Sequence, residues 1–152
     1  MKNKYKLSII LSGILLSMLM SSTISAVAQK PGLSIITAYY TNLDGDNIED
    51  DVYTEASLIL KGEKYTRILL LFELVLPSGY VFRDHYLYCA VTAGEIFKFS
   101  FINGAPENGD YIFNLDAYIF RLGEFDYYSD SLLFDPPGEE EPDTPISVSV
   151  SP

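Results

Sequence analysis

From Leu33 to Phe134 apolar and polar residues alternate in short runs, and each run ends in Gly, Pro, Asn, Asp or Ser. Successive side chains on a β-strand point to opposite faces, so alternation marks a strand with one buried and one exposed side. Phe97-Lys98-Phe99-Ser100-Phe101 is the clearest case, with three rings on one side. Turn signals recur about every 8–12 residues, the spacing of an all-β domain.

The pattern predicts seven strands, over 33–41, 52–61, 65–76, 80–91, 95–102, 110–121 and 125–134, the last broken by Ser129-Asp130-Ser131. The first strand is expected to face Ile36, Ala38 and Tyr40 inward, and the second Val52, Ala56, Leu58 and Leu60. Ile68, Leu70, Phe72, Leu74 and Leu76 share one side of the third, which is apolar on its other side too at Leu69, Leu71 and Val75 and should therefore be central. In the fourth, Tyr80, Phe82, Tyr86 and Tyr88 oppose Arg83, His85, Leu87 and Cys89. In the sixth, Tyr111, Phe113, Leu115, Ala117 and Ile119 oppose Asn114 and Asp116. No run shows a capped 3.6-residue period. Seven short strands in one domain-sized stretch imply a two-sheet sandwich.

The ends have a different character. Residues 1–28 read as a signal peptide: Lys2, Lys4 and Lys6, an apolar core from Leu7 to Met20, and Ala26-Val27-Ala28 as a cleavage site. An uncleaved anchor would need about 20 strongly apolar residues, and this core is shorter and ends in Ser21-Ser22-Thr23. Residues 29–32 are a linker, 33–135 the sandwich, and 136–152 an acidic, proline-rich tail expected to be disordered. That tail is extended and solvated by composition, and its last alternating run, Ile146–Val150, is too short to fold alone. Export is the implied destination, so the membrane is met only through the transient leader.

Charge narrows the partners. The chain carries a net −11. Because three of the ten basic residues and none of the 21 acidic ones lie in the leader, its removal leaves 7 − 21 = −14. Such a surface repels phosphate backbones and anionic headgroups, which argues against nucleic-acid binding. The single cysteine, Cys89, has no partner for an internal disulfide and reads as a small core hydrophobe.

Between the first two strands, Asn42-Leu43-Asp44-Gly45-Asp46-Asn47-Ile48-Glu49-Asp50-Asp51 places oxygen donors at alternate positions. Calcium takes six to eight oxygens at about 2.3–2.6 Å. Counting Asn42 as the first position, Asn42, Asp44 and Asp46 would ligate from positions 1, 3 and 5, the Ile48 carbonyl from 7, and Asp50 from 9. Asn47 stands at position 6, where a left-handed bend is needed. The run resembles the calcium loops of dockerins, EF-hands and integrin-type FG-GAP repeats, which implies a calcium cofactor. It departs from them in the amide at position 1 and in Tyr53 at position 12, leaving Asp51 or Glu55 to close the shell. The other reading is a solvated acidic turn.

Glu107-Asn108-Gly109-Asp110-Tyr111 resembles the tyrosine corner of immunoglobulin-like sandwiches, with Tyr111 opening the sixth strand. The stretch 33–135 is similar to the fibronectin type III, PKD-like and related modules of prokaryotic, including archaeal, secreted and surface proteins. That resemblance implies a seven-stranded immunoglobulin-like fold and a structural role for Tyr111, whose hydroxyl would bond the preceding loop.

Catalysis needs a convergent acid, base or nucleophile, and the chain has one histidine, His85, beside Asp84 on a strand, where neighbours point to opposite faces. Zinc is disfavoured for want of His and Cys ligands. Outward aromatics, Tyr39, Tyr53, Tyr65, Tyr118, Phe120 and Tyr127, suit sugar stacking or a protein partner. The resulting expectation is a non-catalytic, calcium-stabilised module that binds or spaces at the cell surface. A carbohydrate-binding module, a self-associating surface component and a small secreted hydrolase are the alternatives.

Overall fold

A computed structural model of the chain describes residues 30–62, 66–90, 94–134 and 145–152, and within them the architecture is all-β. Eight strands run as β1 (Gly32–Thr41), β2 (Asp51–Ile59), β3 (Thr66–Val75), β4 (Val81–Ala90), β5 (Gly94–Ile102), β6 (Tyr111–Arg121), β7 (Glu124–Phe134) and β8 (Ser147–Ser151). They form two antiparallel sheets, ordered β1-β2-β5-β8 and β4-β3-β6-β7. β1, β2 and β5 stand in the order of strands A, B and E of an immunoglobulin-type sandwich, and β3, β6 and β7 in that of C, F and G; β8 flanks β5 where strand D would. This is a likeness of strand order.

Alternation explains the core. Phe97, Phe99 and Phe101 of β5 are fully buried; Phe99 and Phe101 meet Phe72 of β3 and Phe113 of β6, and Phe97 meets Tyr88 of β4, with ring centroids 5.1–6.0 Å apart in tilted or edge-on pairs. Aromatic quadrupoles favour that geometry, and each such burial contributes about 1.5–3 kcal/mol. The expected inner faces of β2, β3, β5 and β6 are all buried.

The strand count differs from the expected seven because part of the presumed tail is a strand. Five residues cannot hold themselves extended, but the edge of β5 offers a ladder. There Val148 and Val150 stand opposite Phe101 and Phe99 and pack against the core. The leader 1–28 and the acidic run 135–144 lie outside the described residues. β7 is also continuous through Ser129-Asp130-Ser131. Asp130 accepts a hydrogen bond from the Ile35 amide of β1 at 2.7 Å, across from one sheet to the other. The register of β1 shifts between Ile35 and Thr37, so Leu33 and Ile35 pack inward while Ile36, expected inside, is 53% exposed. A bulge adds a residue to one strand and reverses the alternation beyond it. Cys89 is exposed on the outer side of edge strand β4, not in the core.

β6 carries two further polar devices. At its far end the Arg121 side chain is buried and paired with Asp126 of β7, which Lys61 also approaches at 3.4 Å. Chiefly the Arg121 hydrogen bond holds the Asp126 carboxyl below the usual carboxylate range. At its start, the Tyr111 hydroxyl donates to the Glu107 carbonyl and accepts from the Glu107 amide, both at 2.8 Å. Gly109 lets the chain reach this corner, with φ 125° and Pro77 so near that a Cβ would lie 3.2 Å away.

Tyr111→Phe should therefore cost about 1–3 kcal/mol in urea unfolding, since both Glu107 backbone groups lose a partner. Burial is the main force pushing the Tyr111 phenol up to about 12. A raised folded value means this contribution is intact below the unfolded value of about 10 and lost as pH rises through 12. Wild-type stability should fall across that window, and the fall should be smaller in Tyr111→Phe.

Candidate functional site

Two features lie outside the core: the loop joining β1 to β2, and the outer face of the β4-β3-β6-β7 sheet. In the loop, short polar side chains fold back onto the backbone. Asn42 Oδ1 accepts from the Gly45 amide at 2.6 Å, Asp44 Oδ1 from Asp46 at 3.1 Å and Asp46 Oδ1 from Ile48 at 2.8 Å. Asp and Asn make such turns readily. Gly45 (φ 83°) and Asn47 (φ 76°) take the left-handed bends.

The loop is organised around Asp51. Its fully buried carboxylate accepts the amides of Leu43 and Asp44 on one oxygen and that of Asn103, at 2.8 Å, on the other. One anion thus ties the β1–β2 loop to the β5–β6 loop. The Ala105 amide donates to the Asp50 carbonyl beside it. Gly104 has to be glycine there, because a Cβ would lie 2.7 Å from Phe101 Cβ. Glu107 extends the network, accepting from the Ser78 amide and hydroxyl at 2.7 Å each and so tying in the β3–β4 turn. Asp50 is buried at the strand entrance, while Asn42, Asp44, Asp46 and Ile48 line the exposed or half-exposed bend. Among the described residues, no three or more acidic, histidine or cysteine side chains gather as a metal site would require.

The outer face of the second sheet follows from register. Across β4, β3, β6 and β7, Leu87, Leu69, Tyr118 and Tyr127 form one row. The next row toward the β6–β7 hairpin sets Phe120 beside Phe125. Ring centroids of 5.0 Å (Tyr118–Tyr127), 6.4 Å (Tyr118–Phe125) and 5.5 Å (Phe120–Phe125) make the four aromatics continuous. Leu87 is 63% exposed and Phe125 58%. This explains why β3 is apolar on both sides: its outer leucines belong to a solvent-facing block. Beside the block lies a polar band. Tyr127 donates to Asp116 at 2.7 Å, the Ser131 hydroxyl bonds Asn114 Oδ1 at 2.7 Å, and Arg83 pairs with Glu73 at 2.6 Å. Beyond it, Val75, Val81, Ile112 and Leu133 make a second apolar row.

Of the other aromatics named from sequence, Tyr39 and Tyr53 pair across β1 and β2 on the opposite, serine-rich face, 5.3 Å apart. The Tyr53 hydroxyl donates to Glu55, and chiefly this bond pushes its phenol up to about 12. Tyr65 lies outside the described residues. Sequence reasoning missed Phe125, although alternation with Tyr127 on a strand could have placed both on one side. It also underrated Asp51, whose carboxylate is partnered by a loop 52 residues away. His85 lies 3.5 Å from Asp84 through Nδ1; both side chains are exposed, and Asp84 chiefly caps the His85 backbone amide at 2.8 Å.

Neither a family model, nor a curated protein, nor a solved structure matches this chain.

Asp51→Asn should destabilise the protein by about 2–4 kcal/mol, because a neutral amide replaces a charged acceptor and aims an N–H at other N–H donors. Asp46→Asn keeps its one bond at an exposed position and should stay within about 0.5 kcal/mol. Paired urea titrations compare the two.

Proposed function

We propose that this protein is an exported, non-catalytic β-sandwich module that binds a partner at the cell surface, and that its working face is the outer side of the β4-β3-β6-β7 sheet. The observation that carries the reading is the contiguous block of exposed Leu87, Phe120, Phe125 and Tyr127 around half-buried Leu69 and Tyr118, on an otherwise acidic chain. Monomeric soluble domains rarely leave such a patch uncovered unless it meets something. The leader sequence supports export, and the single exposed histidine supports a role without catalysis. Phe125→Glu should abolish retention on isolated cell envelopes while leaving the melting temperature unchanged. Equal retention of variant and wild type removes this face from the account. A carbohydrate partner would instead show as retardation in polysaccharide gels that Tyr118→Ala and Tyr127→Ala abolish.

Calcium at the β1–β2 loop is a second reading, favoured by the left-handed Asn47 at the position where calcium loops bend sharply. Asp44 and Asp46 each use Oδ1 on the backbone, which leaves their Oδ2 atoms for an ion. With affinity in the millimolar range of extracellular modules, calcium at about tenfold excess over its dissociation constant would add about 1.4 kcal/mol, or roughly 5 °C. Melting curves with calcium and with EDTA check this, and coincident midpoints exclude it.

A further inference from the structure

We propose that the partner of this face is a second copy of the chain, packed sheet to sheet about a twofold axis lying across the strands. The inference rests on the binding-face reading above and specifies its occupant.

Phe120, Phe125, Leu69 and Leu87 carry no polar side-chain atom, so they call for a surface that is itself dry and flat. The same face on another copy is such a surface, twisted in the same sense, and sheets stack face to face about 10 Å apart. Charge permits the encounter here. The outer face carries Arg67 and Arg83 against Glu73 and Asp116, a formal balance of zero on a chain of net −11. The excess acid lies elsewhere, with Asp44, Asp46 and Glu49 in the loop at one end.

Area sets the strength. Four strands about 4.8 Å apart and nine residues of about 3.3 Å rise cover roughly 19 by 30 Å. Two such faces bury about 1,200 Å², the lower limit for a specific interface. The expected dimer is therefore weak and concentration-dependent.

The acidic loops set the orientation. Rotation about an axis across the strands, through the Leu71–Asp116 row, places the Phe120–Phe125 row over the partner's Val75–Leu133 row and the Tyr118–Tyr127 row over its Glu73–Asn114 row. It also sends the two acidic loops to opposite ends. An axis along the strands would set those loops side by side, where like charges repel. In the chosen arrangement β7 lies over β7, and Phe125 of one copy faces Leu133 of the other.

Sedimentation equilibrium on the chain recovered after export, from micromolar to millimolar concentration, tests this. Wild type should show a reversible monomer–dimer equilibrium. Phe125→Glu and Leu133→Lys should each weaken it at least tenfold, and the double variant should regain most of the loss through a new cross-copy ion pair. Both side chains are more than half exposed, so unchanged melting temperatures confirm that the variants fold. A wild type monomeric at millimolar concentration overturns the proposal, as does a dimer indifferent to either single change. A double variant no tighter than the singles overturns the crossed orientation. If self-association fails but Phe125→Glu still abolishes envelope retention, the binding face stands and its partner is a different molecule.

Discussion

The fold depends on aromatic rings packed edge-on and tilted between two sheets. Phe97, Phe99 and Phe101 lie on one side of β5 because alternation leaves them no other choice, and they meet Tyr88, Phe72 and Phe113 of the facing sheet edge-on or tilted. With one cysteine, and that one exposed, no internal disulfide contributes, and burial of apolar area has to offset chain entropy by itself. β8 joins by the same force: two valines reach the ring cluster, and that contact makes a short run of serine and valine into a strand.

At one end of the sandwich the polar network does what the core cannot do for loops. Asp51 gathers three amides from two loops, and Glu107 ties its own loop to the β3–β4 turn while Tyr111 holds its backbone. An ionised carboxylate strengthens such bonds, and burial makes each loss costly. The acidic loop is thus wound partly about an internal anion. That geometry gives its carboxylates a structural role whether or not a cation adds to it.

The two outer faces differ in kind. The β1-β2-β5-β8 sheet turns out serines, Glu55, Lys98 and the Tyr39–Tyr53 pair, with Ile36 and Ile96 exposed singly among them. The other sheet turns out a connected block of rings and leucines beside a compensated polar band. A sandwich needs one apolar side per sheet; a second apolar side contributes nothing to folding and draws the eye to association.

Strand identity and inner faces were legible in the sequence, because period two is a local property that burial reads directly. The bond from the Tyr111 hydroxyl to the loop before it was within reach of a local reading too, since Glu107 lies four residues away. What alternation could not express was any event needing a second element. The bulge that turned Ile36 outward, the strand made of Ser147–Ser151, the exposure of Cys89 and the joining of β1 to Asp130 all depend on neighbours remote along the chain. Residue order alone determined an all-β body of alternating strands with a charged bend near its start. Only the tertiary arrangement decided that Asp51 would be the hub of that bend and that Phe120, Phe125, Tyr118 and Tyr127 would share one surface, because hydrogen-bond partners and cross-strand neighbours exist only once distant segments are paired.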